Sequence, residues 1–249
     1  MKISVITVSY NAEKYLESTI HSVLSQNHKD VEYIIVDGNS KDNTVQIIRK
    51  FEDKISKWIS EPDKGMFDAL NKGISMATGD VIGMLHTDDF YPNEDVLSAV
   101  SDAFEKHGVD IVYGDLEYVD PIDTKKVFRK WIGKPYVRSR FTKGWMPAHT
   151  TFYFKRNLIQ RFGLYDLFFK TASDYEFMLR YMYRNNASAY YLPKMLVTMR
   201  IGGMSNISLK NRIAANRNDR LAMEANGIPF PFLVSLLKPL SKLHQYISK

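Results

Sequence analysis

The chain has 249 residues, 45% of them hydrophobic, which suffices for one substantial core. It contains no cysteine, so disulfides and thiolate metal sites are excluded, and any metal must be held by oxygen or imidazole ligands. The net charge of +6 comes entirely from residues 200–249, which carry eight Lys/Arg and two Asp/Glu and leave 26 residues of each sign in residues 1–199. We therefore expect no nucleic-acid partner, since most of the chain is neutral.

We expect neither a secretory signal nor a membrane span in this sequence. The apolar run at residues 1–8 is too short for a signal peptide, and no apolar stretch approaches the roughly 20 residues that cross a bilayer. We therefore expect a cytoplasmic protein, with the inner face of the cell membrane as an alternative location.

The first half of the chain alternates β-branched runs with helical stretches, which is the pattern of βαβ units on a mostly parallel sheet. Asn11 is expected to cap the first helix. The last strand of this half is apolar throughout, which predicts a central position with both faces covered. Strands are predicted at residues 3–8, 33–36, 57–60 and 81–85, and helices at residues 13–26, 42–51 and 66–76.

The second half is less regular, and its predicted elements are correspondingly less sharply bounded. Helices are predicted at residues 94–106, 156–162 and 173–184, and strands at residues 110–113 and 151–154. The chain as a whole therefore reads as an α/β protein with one main domain.

Three polar clusters follow predicted strands of the first half. They are Ser9-Tyr10-Asn11, Asp37-Gly38-Asn39-Ser40 and Thr87-Asp88-Asp89. In open α/β sheets the ligand crevice lies beyond the carboxyl ends of the strands, so we expect the three clusters to share one site.

Asp88 and Asp89 are adjacent carboxylates after an apolar strand, where two negative charges are costly unless a positive charge offsets them. A divalent cation with oxygen ligands, Mn²⁺ or Mg²⁺, would offset them while bridging to substrate phosphates. The alternative is that one of the two residues merely caps the helix that starts near Pro92.

The three clusters, in this order and with Gly79-Asp80 before the third strand, resemble the family-2 glycosyltransferases of the GT-A fold, of the bacterial polysaccharide-biosynthesis type. The resemblance covers residues 1–115 strongly and residues 145–205 more loosely. It implies a single GT-A domain, a Rossmann-like nucleotide-diphospho-sugar transferase, at residues 1–205, followed by a basic amphipathic helical tail at residues 206–249. Within the domain, residues 1–115 would bind the nucleotide sugar and residues 116–205 the acceptor.

The resemblance also implies roles for single residues. Tyr10 matches the aromatic residue that stacks on the nucleotide base, and Asp37 matches the carboxylate that bonds the base edge. Asp88 matches the ribose contact, and Asp89 matches the direct metal ligand. Gly38 departs from the family, which has a second acidic residue at that position. Two further groups join the expected nucleotide-sugar set: the first-strand residues Thr7, Ser9 and Asn11, and the loop and helix residues Asp63, Lys64 and Asp68.

The segment from Glu61 to Gly73 supplies that second group. Its loop amides and Lys64 are placed before a helix, where they could face an anionic ligand. In a branch of the resembling family, this segment closes over the nucleotide sugar. Ordinary turn chemistry with a solvated helix face is the alternative.

The candidate catalytic base lies in the second half. The resembling family places it on the acidic residue of a D-Y-E or E-D segment that opens a helix, which points to Asp174, with Glu176 as the alternative. An Asp at that position otherwise complements the helix dipole. His149 matches a His that faces the donor diphosphate or the acceptor, although a lone His is more often structural. Arg200-Ile201-Gly202-Gly203-Met204-Ser205 reads either as a mobile loop near a phosphate or as a plain connector.

The C-terminal segment carries apolar residues at helical spacing. Leu233, Leu236, Leu237, Leu240, Leu243 and Ile247 recur on one side, opposite Lys238, Lys242 and Lys249, and Pro239 argues for a kink. Residues 228–249 either contact an anionic membrane or pack on the domain itself.

These features predict an inverting glycosyltransferase that uses a nucleotide-diphosphate sugar, expected to be UDP-linked, and a glycan or polyprenyl-diphosphate-linked acceptor. The chemistry needs one carboxylate to deprotonate the acceptor hydroxyl and a cation to neutralise the leaving group. A metal-dependent sugar nucleotidyltransferase is the alternative enzyme, but it would have a Gly-rich loop where this chain has Ser9-Tyr10-Asn11-Ala12.

Overall fold

The computed structural model describes residues 1–202 and 209–240. Its first part alternates strands and helices along the chain. The strands are β1 (Ile3–Ser9), β2 (Val31–Asp37), β3 (Lys57–Ser60) and β4 (Val81–Met84), and the helices between them are α1 (Leu16–Leu24), α2 (Thr44–Lys50) and α3 (Met66–Met76). All four strands are parallel, in the order β3-β2-β1-β4. Every strand and helix that the sequence predicted here is confirmed, and the bounds of β3 and α3 agree to the residue.

The second part contains short strands and broken helices. Its strands are β5 (Asp89–Phe90), β6 (Ile111–Val119), β7 (Val127–Trp131), β8 (Tyr153–Lys155) and β9 (Ala189–Arg200). Its helices are α4 (Val96–His107), α5 (Asn157–Phe162), α6 (Ser173–Met178), α7 (Leu209–Ala225) and α8 (Pro231–Leu240). Short 3₁₀ helices occur at Arg138–Lys143, His149–Thr151 and Leu167–Ala172, and one π-helical turn at Leu179–Arg184 follows α6.

The nine strands of the described residues belong to one sheet, in the order β3-β2-β1-β4-β8-β6-β9-β5, with β7 paired to β6. The long pairing of β6 with β9 is parallel, whereas the short strands β5, β7 and β8 pair antiparallel. The expected α/β class with a mostly parallel central sheet is confirmed. Strand β4 is buried at the middle of the sheet, as its apolar sequence predicted.

Helix α3 lies unusually close to the sheet at Gly73. A Cβ atom at this position would come within 2.5 Å of Ile6 Cγ2 on β1. Because glycine has no Cβ atom, the helix backbone can approach the strand at this position.

Three local predictions were wrong. Asn11 does not cap α1, which begins after Tyr15 without a side-chain cap. The Asn11 Oδ1 atom instead accepts a hydrogen bond from the Lys41 backbone N–H at 2.9 Å, because Asn11 has the left-handed φ of 48° and turns away from the helix. The continuous helix predicted at residues 173–184 changes to a π-helical turn at Leu179. The alternative in which Asp88 or Asp89 caps a helix also fails, because α4 begins only after Asp95.

The C-terminal helices pack on the domain. Ala222 and Met223 of α7 and Val234 of α8 are buried in the common core, and Lys238 Nζ bonds Asp219 Oδ2 at 2.8 Å. The opposite side of α8 exposes Phe232, Leu233 and Leu236. Of the two alternatives for the tail, packing on the domain thus applies to one side of α8. The predicted residues Leu243, Ile247, Lys242 and Lys249 lie outside the described residues, as do Gly203, Met204 and Ser205.

Across residues 1–202 and 209–240, we find no helix with the length and apolar character of a bilayer span. The division into residues 1–205 and 206–249 stays a prediction.

Candidate active site

The carboxyl ends of β1, β2 and β3 meet at one edge of the sheet, as the polar clusters predicted. Ser9 pairs with Asp37 in register, and Asp37 pairs with Ser60. The Asp37 side chain is fully buried there. The parallel register therefore places the first two clusters side by side.

The Asp37 carboxylate is surrounded by donors from its own chain. Its Oδ1 atom accepts hydrogen bonds from Ser9 Oγ at 3.0 Å and Ser40 Oγ at 2.5 Å. Its Oδ2 atom accepts from the Ser40 backbone N–H at 3.0 Å and from Ser60 Oγ at 2.7 Å. A carboxylate offers about four lone-pair positions, so these four donors occupy its whole capacity. Asp37 thus ties together the ends of three strands.

The other residues of the first cluster differ in their access to a ligand. The Tyr10 ring is 65% exposed and stands free at the end of β1. Thr7 is fully buried, and its hydroxyl accepts a hydrogen bond from Tyr33 at 3.1 Å. Of the expected nucleotide contacts on this strand, the structure leaves the Tyr10 ring open and holds the Thr7 hydroxyl inside the core.

The loop between β3 and α3 is closed by its own carboxylates. Asp68 Oδ2 accepts a hydrogen bond from the Lys64 backbone N–H at 3.0 Å, and Asp63 Oδ1 accepts one from the Gly65 backbone N–H at 2.7 Å. Asn71 exchanges two hydrogen bonds with the backbone of Tyr165, at 2.9 Å each. The loop therefore has a defined shape beside β2, and α3 is tied to the second half of the chain.

Asp89 is the most unusual residue of the third cluster. It is fully buried on β5, and neither carboxylate oxygen has a hydrogen-bond partner among the described residues. Its backbone is held by Thr19, whose hydroxyl bonds the carbonyl oxygens of Thr87 at 2.8 Å and of Asp89 at 2.7 Å. Burial raises the pKa of Asp89 well above its usual value, and the neighbouring Asp88 carboxylate adds to the increase. A buried carboxylate without donors is costly, so this position favours a cationic ligand.

Arg200, at the end of β9, is a cation that the protein itself brings to this cluster. Its guanidinium donates to the Asp88 carbonyl oxygen at 2.9 Å and to Ser18 Oγ at 3.1 Å. It lies over the rings of Tyr15 and Phe90, 4.7 and 4.6 Å from their centroids. Its charge opposes the rise in the pKa of Asp89 without a direct hydrogen bond to that carboxylate. The sequence identified Arg200 only as the start of a loop.

Two histidines connect the third cluster to the candidate base. The rings of His86 and His149 lie 5.7 Å apart, and His149 Nδ1 lies 3.6 Å from Asp174 Oδ2. Burial, together with the nearby His149, lowers the pKa of His86 to about 3, so this ring is neutral near pH 7. The structure thus brings together His149 and Asp174, which the sequence analysis named as candidate site residues. It adds His86, which the sequence analysis missed.

Asp174 and Glu176 have different surroundings. Asp174 is partly exposed and receives its own-helix hydrogen bond from the Tyr175 backbone N–H at 2.7 Å. Glu176 is buried and held by Arg180 Nε at 2.9 Å and by Asn226 Nδ2 at 3.3 Å. Glu176 is therefore committed to packing α6 against its neighbours, which favours Asp174 as the residue available to a substrate.

The donor set fits a divalent cation that shares its ligands with a substrate. The described residues contain no group of three or more His, Cys, Asp or Glu side chains that would form a closed metal site. Mg²⁺ and Mn²⁺ are commonly bound by one or two carboxylates together with phosphate oxygens and water. The unpartnered carboxylate of Asp89 matches that mode of binding.

Comparison with known proteins identifies the family. The family model described as "Glycosyl transferase family 2" matches residues 4–168. An uncharacterized glycosyltransferase of Mycobacterium tuberculosis (strain ATCC 25618 / H37Rv) is 33% identical over 183 residues, which are 72% of this chain and 68% of that protein. A PGL/p-HBAD biosynthesis glycosyltransferase of Mycobacterium bovis is 27% identical over 208 residues, covering 82% of this chain and 78% of the relative. The chain belongs to glycosyltransferase family 2.

Solved structures agree with the fold. TarS of S. aureus, residues 1–349 in complex with UDP, superposes with a TM-score of 0.70 at 20% identity, covering 90% of this chain and 65% of that one. The mannosyltransferase PcManGT of Pyrobaculum calidifontis, in complex with GDP-Man and Mn²⁺, superposes with a TM-score of 0.68 at 18% identity, covering 98% and 70%. The chain spans only 39% of the longer TarS chain. The predicted GT-A fold and the enzyme class, a glycosyltransferase, are confirmed over the nucleotidyltransferase alternative.

Proposed function

We propose that this chain is an inverting glycosyltransferase that moves a sugar from a UDP-linked donor to a glycan or polyprenyl-diphosphate-linked acceptor in cell-surface polysaccharide biosynthesis. The observation that carries the proposal is Asp89, a fully buried carboxylate without a hydrogen-bond partner at the strand ends where a donor diphosphate would lie. The UDP complex of TarS and the GDP-Man complex of PcManGT support a nucleoside-diphosphate donor.

The proposed donor-binding groups all come from residues 1–115. The exposed Tyr10 ring offers a stacking surface for the base, and Asp88, beside Asp89, is the proposed ribose contact. Lys64 is exposed at the loop before α3, where its charge would attract a diphosphate. These groups bind and orient the donor before any bond changes.

Asp89 is the residue that would hold Mn²⁺ or Mg²⁺. Such a cation, when bound, stabilises the negative charge that develops on the departing diphosphate. The Mn²⁺ in the PcManGT complex supports the choice of a divalent ion. The Arg200 guanidinium, fixed by Asp88 and Ser18, contributes a second positive charge to the same cluster.

Asp174 is the proposed catalytic base. Its partly exposed carboxylate would accept the proton of the acceptor hydroxyl as that oxygen attacks the anomeric carbon. His149, 3.6 Å away, restricts the orientation of this carboxylate. A single displacement inverts the anomeric configuration and requires no covalent enzyme intermediate.

The decisive experiment is a panel of UDP-, GDP- and TDP-sugars tested with and without Mn²⁺ for binding and for slow release of the nucleoside diphosphate. We expect Mn²⁺-dependent binding and hydrolysis of a UDP-sugar, and NMR of the first released sugar should show the inverted anomer. Failure of every nucleotide sugar to bind in the presence of Mn²⁺ would refute the proposal.

We also propose that the protein binds the cytoplasmic face of an anionic membrane through residues 228–249. The exposed apolar side of α8, formed by Phe232, Leu233 and Leu236, supports this contact. Residues 125–143 carry eight Lys/Arg and no Asp/Glu. This basic segment lies near α8, because Gly144, which follows it, lies against the backbone of Lys238. Exposed apolar residues beside a purely basic segment match the chemistry of an anionic lipid surface.

A vesicle assay tests this contact. The wild-type chain should sediment with phosphatidylglycerol vesicles and not with phosphatidylcholine vesicles. The triple variant Phe232→Ser, Leu233→Ser and Leu236→Ser should abolish sedimentation. The double variant Lys125→Glu and Lys126→Glu should do the same. The charge-matched control Lys54→Glu with Lys106→Glu, two exposed lysines elsewhere, should not. Equal sedimentation of all variants would contradict the proposal.

A further inference from the structure

The backbone at Gly38 leaves room for a carboxylate that comes from another loop. A Cβ atom added to Gly38 would lie 2.5 Å from Asp63 Oδ2 and 3.3 Å from Tyr10 Cδ2. The backbone of Gly38 does not have a positive φ, so conformational strain does not explain the glycine. The reason is space, because the Asp63 carboxylate occupies the position directly over this residue.

Asp63 and Asp37 differ in their free hydrogen-bonding capacity. Asp37 is fully buried and already accepts four hydrogen bonds, which is the capacity of a carboxylate. Among the described residues, Asp63 accepts one hydrogen bond, from the Gly65 N–H to Oδ1. Asp63 is only partly buried, so its Oδ2 atom can accept a hydrogen bond from a ligand.

Beside this free acceptor lies the Tyr10 ring. The ring is 65% exposed and offers a flat surface on which a planar base can stack. Asp63 Oδ2 and the Tyr10 ring edge meet over the same Gly38 position, so a base on that ring would present its edge near the carboxylate.

We propose that Asp63, and not Asp37, reads the edge of the nucleotide base and determines base specificity. The inference rests on the proposed use of a nucleoside-diphosphate donor. A carboxylate only accepts hydrogen bonds, so it favours bases whose edge presents a ring N–H, which are uracil and guanine. It disfavours cytosine and adenine, whose corresponding ring nitrogen is itself an acceptor. A site built for one such hydrogen bond rejects the base that lacks the donor.

The test measures binding of UDP and CDP to the full chain by calorimetry in the presence of Mn²⁺. Wild type should prefer UDP. Asp63→Ala should weaken UDP binding about 10- to 100-fold and remove most of the preference, because a hydrogen bond to a charged group is lost. Asp63→Asn should shift the ratio toward CDP, since the amide N–H₂ can donate to the cytosine ring nitrogen.

Gly38→Ala supplies an independent arm. The added methyl group must displace the Asp63 carboxylate, so the single variant should lose UDP affinity to a degree similar to Asp63→Ala. The double variant should bind UDP no more weakly than Asp63→Ala alone, because there is then no carboxylate to displace. The control is Glu61→Ala, which removes an exposed carboxylate of the same loop that pairs with Lys72, and it should keep the wild-type ratio.

An unchanged UDP to CDP ratio in both Asp63 variants would overturn the inference and leave the glycosyltransferase proposal standing. A ratio changed by Asp37→Asn and not by Asp63→Asn would return the role to Asp37. Failure of wild type to bind any nucleoside diphosphate with Mn²⁺ would overturn both proposals.

Discussion

Glu32 on β2 and Asp89 on β5 are buried carboxylates of the same sheet. Glu32 lies at the edge where the strands begin and accepts hydrogen bonds from Ser4 Oγ at 2.6 Å, the Thr78 N–H at 2.7 Å and Lys57 Nζ at 2.9 Å. Asp89 lies beyond the edge where the strands end and has no hydrogen-bond partner among the described residues.

The surroundings of the two carboxylates change their pKa values in opposite directions. Burial tends to raise the pKa of Glu32, but the hydrogen bonds from Ser4, Thr78 and Lys57 outweigh it and lower the pKa to about 2. Burial raises the pKa of Asp89, and no donor compensates. The chain satisfies the charge on one edge with its own groups and leaves the other charge for a ligand. We infer that the first edge stabilises the fold and the second serves the reaction.

The largest expected effect is that of Asp89→Ala. This variant should lose metal-dependent donor binding, and turnover should fall to background, because the proposed carboxylate ligand of the ion is removed. Its thermal unfolding temperature should stay equal or rise, since a buried carboxylate without donors is removed. Calorimetric binding and thermal unfolding measure both effects. A clear fall in stability with retained activity would mean that Asp89 is a structural residue.

Asp174→Asn should lower turnover by about 10²- to 10⁴-fold, because the amide cannot take the proton from the hydroxyl of the acceptor substrate. Donor binding should be spared, since Asp174 is proposed to act only on the acceptor. Steady-state kinetics and donor titration separate the two quantities.

The matched control for Asp174 is Glu176→Gln, two residues away. It should lower stability, because Glu176 is paired with Arg180 in the core, and it should leave turnover within a few-fold of wild type. The reverse pattern, with turnover abolished in Glu176→Gln and kept in Asp174→Asn, would show that the catalytic roles are assigned to the wrong residues.

Glu32→Gln should destabilise the fold by about 1–3 kcal/mol at pH 7 and leave donor affinity unchanged. Because the pKa of Glu32 is lowered in the folded state, its contribution is present above pH about 4.5 and is lost as the pH falls toward about 2. Denaturant unfolding of both proteins between pH 7 and pH 3 measures this. A difference in stability that does not shrink as the pH falls would exclude the ionised carboxylate as its cause.

The parallel half was predictable from the sequence because its signals are local. The strand at residues 81–84 follows from its unbroken apolar run, and the helix at Met66–Met76 follows from the helical spacing of its apolar residues. The sharing of one edge by Ser9 and Asp37 followed from a general property of parallel strands. Family membership followed from the order of these clusters.

The remaining features depend on contacts between distant parts of the chain. Strand β5 has two residues, and its pairing partner Met199 lies 110 positions later, so no local pattern could reveal it. Arg200 lies 112 positions after Asp88, whose carbonyl oxygen it binds. The contact of Asp63 with Gly38 joins two separate loops. The edge strand β7 was missed because its residues alternate poorly between apolar and polar. The placement of His86 beside His149 likewise requires the fold.

The most direct test of the central claim is a titration of UDP into wild type and Asp89→Asn, each with Mn²⁺ and with a chelator. The asparagine keeps the size of the side chain and removes its charge. We predict that wild type binds UDP tightly only with Mn²⁺, whereas the variant binds weakly and equally under both conditions. Tight binding that is independent of Mn²⁺ in wild type, or Mn²⁺-dependent binding that survives in Asp89→Asn, would contradict the assignment of Asp89 as the metal ligand.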